Sequence, residues 1–143
     1  MVVSDATIVT LELENDVSAA RRAREFLRDA LQIWCLQGVS DIAELLTGEL
    51  VANVVLHVGA PMELRAIRHR ASLRIEVADP SPTPPVVRHP DPADDHGRGI
   101  LLVDSLASAW GVVTRPGGKT VWFELGLEAL REQGSEGRAL DHG

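Results

Sequence analysis

Between Pro80 and His96 the chain carries six prolines, at positions 80, 82, 84, 85, 90 and 92, with Asp91, Asp94 and Asp95 near the end of the run. Proline fixes φ and lacks an N–H, so this density excludes helix and the interior of a sheet. The segment also exceeds the roughly 12–15 residues beyond which a structureless loop in a compact domain is usually functional or disordered. The roughly 45 residues beyond it are too few to form a separate core. Both sides of the loop are therefore expected to build one domain, spanning 1–127, followed by a polar, Gly-rich tail over 128–143 that is expected to be disordered.

The elements flanking the loop follow from periodicity and punctuation. Residues 6–13 are β-rich and partly alternate, which predicts a strand. Over 16–36, Ala20, Ala23, Phe26, Leu27, Ala30, Leu31 and Trp34 recur at helical spacing, with Asp16 or Ser18 as cap and Gly38 as terminator. Ser40 or Asp41 caps a second helix that Gly59-Ala60-Pro61 stops. Two strands near 62–69 and 72–79 form a hairpin through Arg70-Ala71. After the loop, Gly97-Arg98-Gly99 opens a helix to about Ala107. Strands near 109–114 and 120–125 then meet at Arg115-Pro116-Gly117-Gly118-Lys119, where proline and glycine supply the turn. The order β-α-α-β-β-loop-α-β-β predicts an α/β fold: a two-layer sandwich of a mixed, mostly antiparallel sheet with helices on one face.

Composition narrows the function. The net charge of −7 argues against a general nucleic-acid binder. Arg65, Arg68, Arg70 and Arg74 read as a solvated sheet face. Cys35 is alone, so neither a disulfide framework nor a Cys-based metal motif arises within one chain. No apolar run approaches the roughly 20 residues of a membrane span, and no basic-then-apolar leader opens the chain. The expected address is the cytoplasm, with no membrane partner.

One stretch points to chemistry. In Glu-Leu-Val-Ala-Asn-Val-Val-Leu-His, residues 49–57, Glu49, Asn53 and His57 are four apart on one helix face. Ile42, Leu45, Leu46, Leu50 and Leu56 share that face, so the polar groups are expected within the core-facing stripe. A buried carboxylate beside a buried amide is costly without a partner. A cation carrying a phosphate ligand would justify the pair. Each neighbouring signal is weak by itself. Gly97 and Gly99 allow backbone N–H groups at a helix start to approach an anion, yet glycine also serves plain turns. Asp79, at a strand end, is a turn former or an acceptor for a ligand donor. His57 reads as a core histidine, and Gly117-Gly118-Lys119-Thr120 as a hairpin turn that lacks P-loop spacing.

Together, Glu49-x-x-x-Asn53, Asp79, Gly97-Arg98-Gly99-Ile-Leu-Leu-Val and Gly118-Lys119-Thr120-Val-Trp-Phe resemble the GHKL ATP-binding (Bergerat) fold of gyrase, heat-shock chaperone, histidine kinase and mismatch-repair ATPases. The sequence is most similar to the small anti-sigma-factor serine/threonine kinases of actinobacterial type, over roughly 7–126. That resemblance implies ATP and Mg²⁺ as cofactors. Asn53 would hold Mg²⁺, and Glu49 would be the general base or would position the attacking hydroxyl. Asp79 would accept from the adenine amino group, with Thr120 nearby through water. Gly97, Arg98 and Gly99 would bind the phosphates, and 80–96 would be the ATP lid. It further implies a sigma factor and an anti-anti-sigma (STAS-type) protein as partners, transfer of the γ-phosphate to a serine of the latter, and a homodimer. One departure stands out. The wider family shows Asp-x-Gly-x-Gly, where this chain has Asp79-Pro80-Ser81-Pro82-Thr83. It keeps open a degenerate nucleotide-binding or non-catalytic protein-interaction module.

Overall fold

The computed structural model describes residues 7–83, 85 and 99–127. Its elements are β1 (Thr7–Leu13), α1 (Ala19–Ile33), a 3-10 turn (Gln37–Val39), α2 (Ser40–His57), β2 (Met62–Arg68), β3 (Ser72–Asp79), α3 (Gly99–Leu106), β4 (Ala109–Arg115) and β5 (Gly118–Gly126). The expected lid falls mostly outside the described residues, as do Gly97, Arg98 and the tail.

The strands form one sheet in the order β1-β2-β3-β5-β4. All four pairings are antiparallel, in keeping with the mostly antiparallel sheet expected, and no parallel pair occurs among the described residues. The reason lies in the connections. Two consecutive helices separate β1 from β2, a there-and-back path that returns the chain reversed. Among the described residues one helix lies between β3 and β4, and those two strands run the same way. The hairpin partner β5 inserts between them, so they never pair.

Alternation along the strands sorts the two faces. In β3, Leu73, Ile75, Val77 and Asp79 are buried while the residues between them are half-buried. Their β5 partners Leu125, Phe123, Val121 and Lys119 are buried as well. This face meets α1 and α2, and the core runs through Leu27, Leu31, Leu46, Val51, Leu64 and Phe123. Of the four arginines expected on a solvated sheet face, Arg65 and Arg74 lie on the opposite face, Arg68 ends β2 with the parity of the core-facing residues, and Arg70 lies in the β2–β3 turn. Arg74 Nε donates to Glu76 at 2.9 Å, and its Nη1 donates to Glu124 at 3.0 Å. Its guanidinium also stacks 4.0 Å from the Trp122 ring centroid. Burial alone would lower the Arg74 pKa, but the bonds and charges of Glu76 and Glu124 outweigh it and raise the value.

Helix ends follow local chemistry with one surprise. Gly59 closes α2 with φ of 67°, as its position predicts. At the end of α1 the left-handed residue is Cys35, with φ of 58°, not a glycine. The Leu36 N–H reaches back to the Leu31 carbonyl at 2.8 Å, the long bond of a Schellman ending. Gly38, the expected terminator, lies in the following 3-10 turn. The α1–α2 contact holds one buried acid, Glu44, which accepts from Arg28 Nε at 3.0 Å and from Ser40 Oγ. Burial pushes the Glu44 carboxyl up, yet the hydrogen bonds from Arg28 and Ser40 and the Arg28 charge bring it below its ordinary value.

Candidate functional site

A cavity of about 130 Å³ opens where α2, the ends of β3 and β5, and the start of α3 meet. From α2 it takes Leu50, Asn53, Val54, His57 and Val58; from the sheet, Val77, Asp79, Lys119 and Val121. Ile100 adds the first turn of α3, and Ser81, Thr83 and Pro85 add the segment after β3. The walls are mainly aliphatic, and the polar groups gather at the strand ends and along one edge of α2.

Asp79 is the most constrained of these groups. Its side chain is fully enclosed, and that of Lys119 is 5% exposed. Oδ1 accepts from the Ser81 N–H at 2.8 Å and from Lys119 Nζ at 3.1 Å. The ammonium also donates to the Ser81 carbonyl at 3.3 Å. Oδ2 lies 3.0 Å from Nζ in the same ion pair, yet it accepts no hydrogen bond among the described residues. Its charge is met by the ammonium, and a ligand donor placed there would supply the missing hydrogen bond. The strands meet closely here: a Cβ on Gly118 would stand 2.7 Å from the Asp79 carbonyl oxygen, so glycine is what lets β5 approach.

Asn53 points its half-buried amide at the cavity. No side-chain hydrogen bond among the described residues engages it, which leaves its oxygen available to a cation. No group of three or more His, Cys, Asp or Glu suited to a metal occurs among the described residues. A magnesium site here would therefore depend on a single amide oxygen plus ligand phosphates and water. Mg²⁺ takes oxygen ligands, keeps several waters and needs few protein groups beside the phosphates, and the Asn53 amide oxygen is one such group.

Other expected residues are distributed unevenly. Glu49 is half-buried one turn before Asn53 and does not line the cavity. The polar groups do not sit within the core stripe. Ile42, Leu45 and Leu56 are 42%, 43% and 55% exposed, and the core face of α2 is Ala43, Leu46, Leu50, Val51 and Val54. The helix is apolar nearly all round, so periodicity alone does not select the buried side. His57 is exposed at the cavity rim and is not a core histidine. Gly99 begins α3 beside the cavity.

Thr120 departs from expectation. Strand alternation turns it to the opposite sheet face, where it accepts from Arg115 Nη2 at 3.2 Å. Its neighbour Lys119 faces the cavity, in register with Asp79. Lys119 was hidden by being read as part of a turn. The signal was present in the period-two run Lys119, Val121, Phe123, Leu125, which places the lysine on the buried face.

These features agree with the comparisons to known proteins. A family model for the histidine kinase-like ATPase domain matches residues 13–125. Among solved structures, that of the RsbU and RsbW domains of Rv1364c from Mycobacterium tuberculosis is similar, with 18% identity and a TM-score of 0.61 over 83% of this chain. The match covers 32% of that chain, and at this identity it establishes the fold alone. No curated protein matches in sequence. By its fold, its cavity and the family match over most of its length, the chain belongs to the histidine kinase-like ATPase domain family.

Proposed function

We propose that this chain is an ATP-binding regulatory protein that transfers the γ-phosphate to a serine of an anti-anti-sigma, STAS-type partner and sequesters a sigma factor. The observation that carries the nucleotide part is the convergence on one largely aliphatic cavity of Asn53, whose amide makes no side-chain hydrogen bond among the described residues, and Asp79, whose Oδ2 is ion-paired with Lys119 but accepts no hydrogen bond among them. In this reading Asp79 accepts from the adenine amino group. Asn53 holds Mg²⁺, which when bound neutralises charge on the phosphates. Gly97, Arg98 and Gly99 bind the phosphate chain. Glu49 takes the proton of the attacking serine hydroxyl or positions that hydroxyl. Phosphoryl transfer needs mainly positioning and charge neutralisation, so this small set suffices.

The regulatory partners rest on the resemblance of the motifs at 49–53, 79, 97–103 and 118–123 to the anti-sigma-factor kinases. A second reading, a domain that binds a partner without transferring phosphate, is favoured by Pro80-Ser81-Pro82-Thr83, which replaces the two glycines expected after Asp79. Incubation with γ-labelled ATP, Mg²⁺ and candidate STAS-type proteins separates the two. Label on a partner serine is the expected result. Retention of sigma-factor or STAS binding with no label transferred to any partner supports the binding module instead.

A further inference from the structure

Inside the cavity a donor and an acceptor stand side by side. Asp79 Oδ2 receives no hydrogen bond although its side chain is fully enclosed, and Lys119 Nζ is 3.0 Å away. An ammonium carries three N–H donors. Among the described residues, two of them find Asp79 Oδ1 and the Ser81 carbonyl. The third is left for whatever enters the cavity. Leu50, Val54, Val77, Ile100 and Val121 surround this polar pair with aliphatic surface. A volume of about 130 Å³ is close to the roughly 150 Å³ apolar cavity that binds benzene. It suits a flat ring system with little room beside it.

The geometry points to Lys119 as a base-reading residue that acts together with Asp79. Asp79 Oδ2 accepts from an exocyclic amino group, and the third N–H of Lys119 donates to the ring nitrogen beside that amino group. The occupant is an aminated nitrogen heterocycle with a donor and an acceptor on neighbouring positions, the edge that adenine offers through N6 and N1. This deepens the nucleotide reading of the cavity and rests on it. The paired side chains are together neutral, so the subsite takes a neutral base. Both contacts involve a charged group, which makes them stronger than neutral hydrogen bonds. A base without the ring nitrogen leaves a lysine N–H unpaired in a dry site, and sites built to hydrogen-bond a group reject analogues that lack it. If Lys119 only neutralises Asp79, that nitrogen has no influence on binding.

Calorimetry on the full chain with Mg²⁺ tests this by comparing ATP with 1-deaza-ATP, which keeps the amino group and replaces N1 by C–H. The wild type is expected to bind ATP at least about 10-fold more tightly, the effect of one hydrogen bond to a charged group. In Lys119→Met, which keeps an unbranched chain and removes the donors, the two ligands are expected to bind within a factor of about two. Should that variant fail to fold with Asp79 left unpaired, Asp79→Asn/Lys119→Met removes both charges and should show the same loss of preference. Equal binding of the two ligands by the wild type overturns the role of Lys119 while leaving the nucleotide site standing. A preference that survives in the variants overturns it too. Failure of the wild type to bind either ligand sinks the nucleotide reading itself, and the inference with it.

Discussion

Glu49→Gln is expected to keep ATP and partner binding and to slow transfer to the partner serine by about 10²–10⁴-fold, the usual cost of losing a general base. The substitution keeps size and hydrogen-bonding capacity and removes basicity, so it separates chemistry from structure. Glu49 is half-buried one helical turn before Asn53 and stands outside the cavity lining. Quench-flow or gel assays with labelled ATP give the rate, and calorimetry gives the two affinities. Transfer at the wild-type rate in the variant would assign Glu49 a structural role.

Asn53→Ala is expected to remove the Mg²⁺ dependence of ATP binding. The wild type should bind ATP about 10–100-fold more tightly with Mg²⁺ than with EDTA, the scale of one interaction with a charged group. The variant should bind equally in both conditions. Its stability should change by no more than about 0.5 kcal/mol, as for surface substitutions away from special features, because no hydrogen bond among the described residues depends on the amide. A variant that loses stability but keeps its response to Mg²⁺ would show instead that Asn53 supports the core.

Much of this arrangement was legible before the fold was known. The hairpin strands, both long helices and the glycine that closes α2 follow from local chemistry, which short-range forces decide. The charged outer face was legible only in part: Arg65 and Arg74 lie on it, while Arg68 falls on the other parity of β2 and Arg70 in the turn. What local patterns could not decide was orientation. α2 is apolar on nearly every side, so its buried face depends on where the sheet lies, and Ile42, Leu45 and Leu56 went to the wrong side. Strand direction was similarly hidden: β5 enters between β3 and β4 only through long-range pairing. At the cavity, Asn53, Asp79 and Lys119 are lining residues and Thr120 is not, because neighbours in a strand point to opposite sheet faces. Such a phase is set by cross-strand pairing, here Asp79 opposite Lys119, which local sequence does not reveal.

The central claim is that the cavity between α2 and the strand ends is a Mg-nucleotide site. Titration of the full chain with ATP in the presence of Mg²⁺, read by calorimetry and by thermal unfolding, tests it most directly. A ligand that binds only the folded state stabilises it by about 2.7 kcal/mol at a hundred times its Kd. The account predicts one nucleotide bound per chain and a melting temperature that climbs with ATP concentration. No heat of binding and an unchanged melting temperature at millimolar Mg-ATP would contradict it.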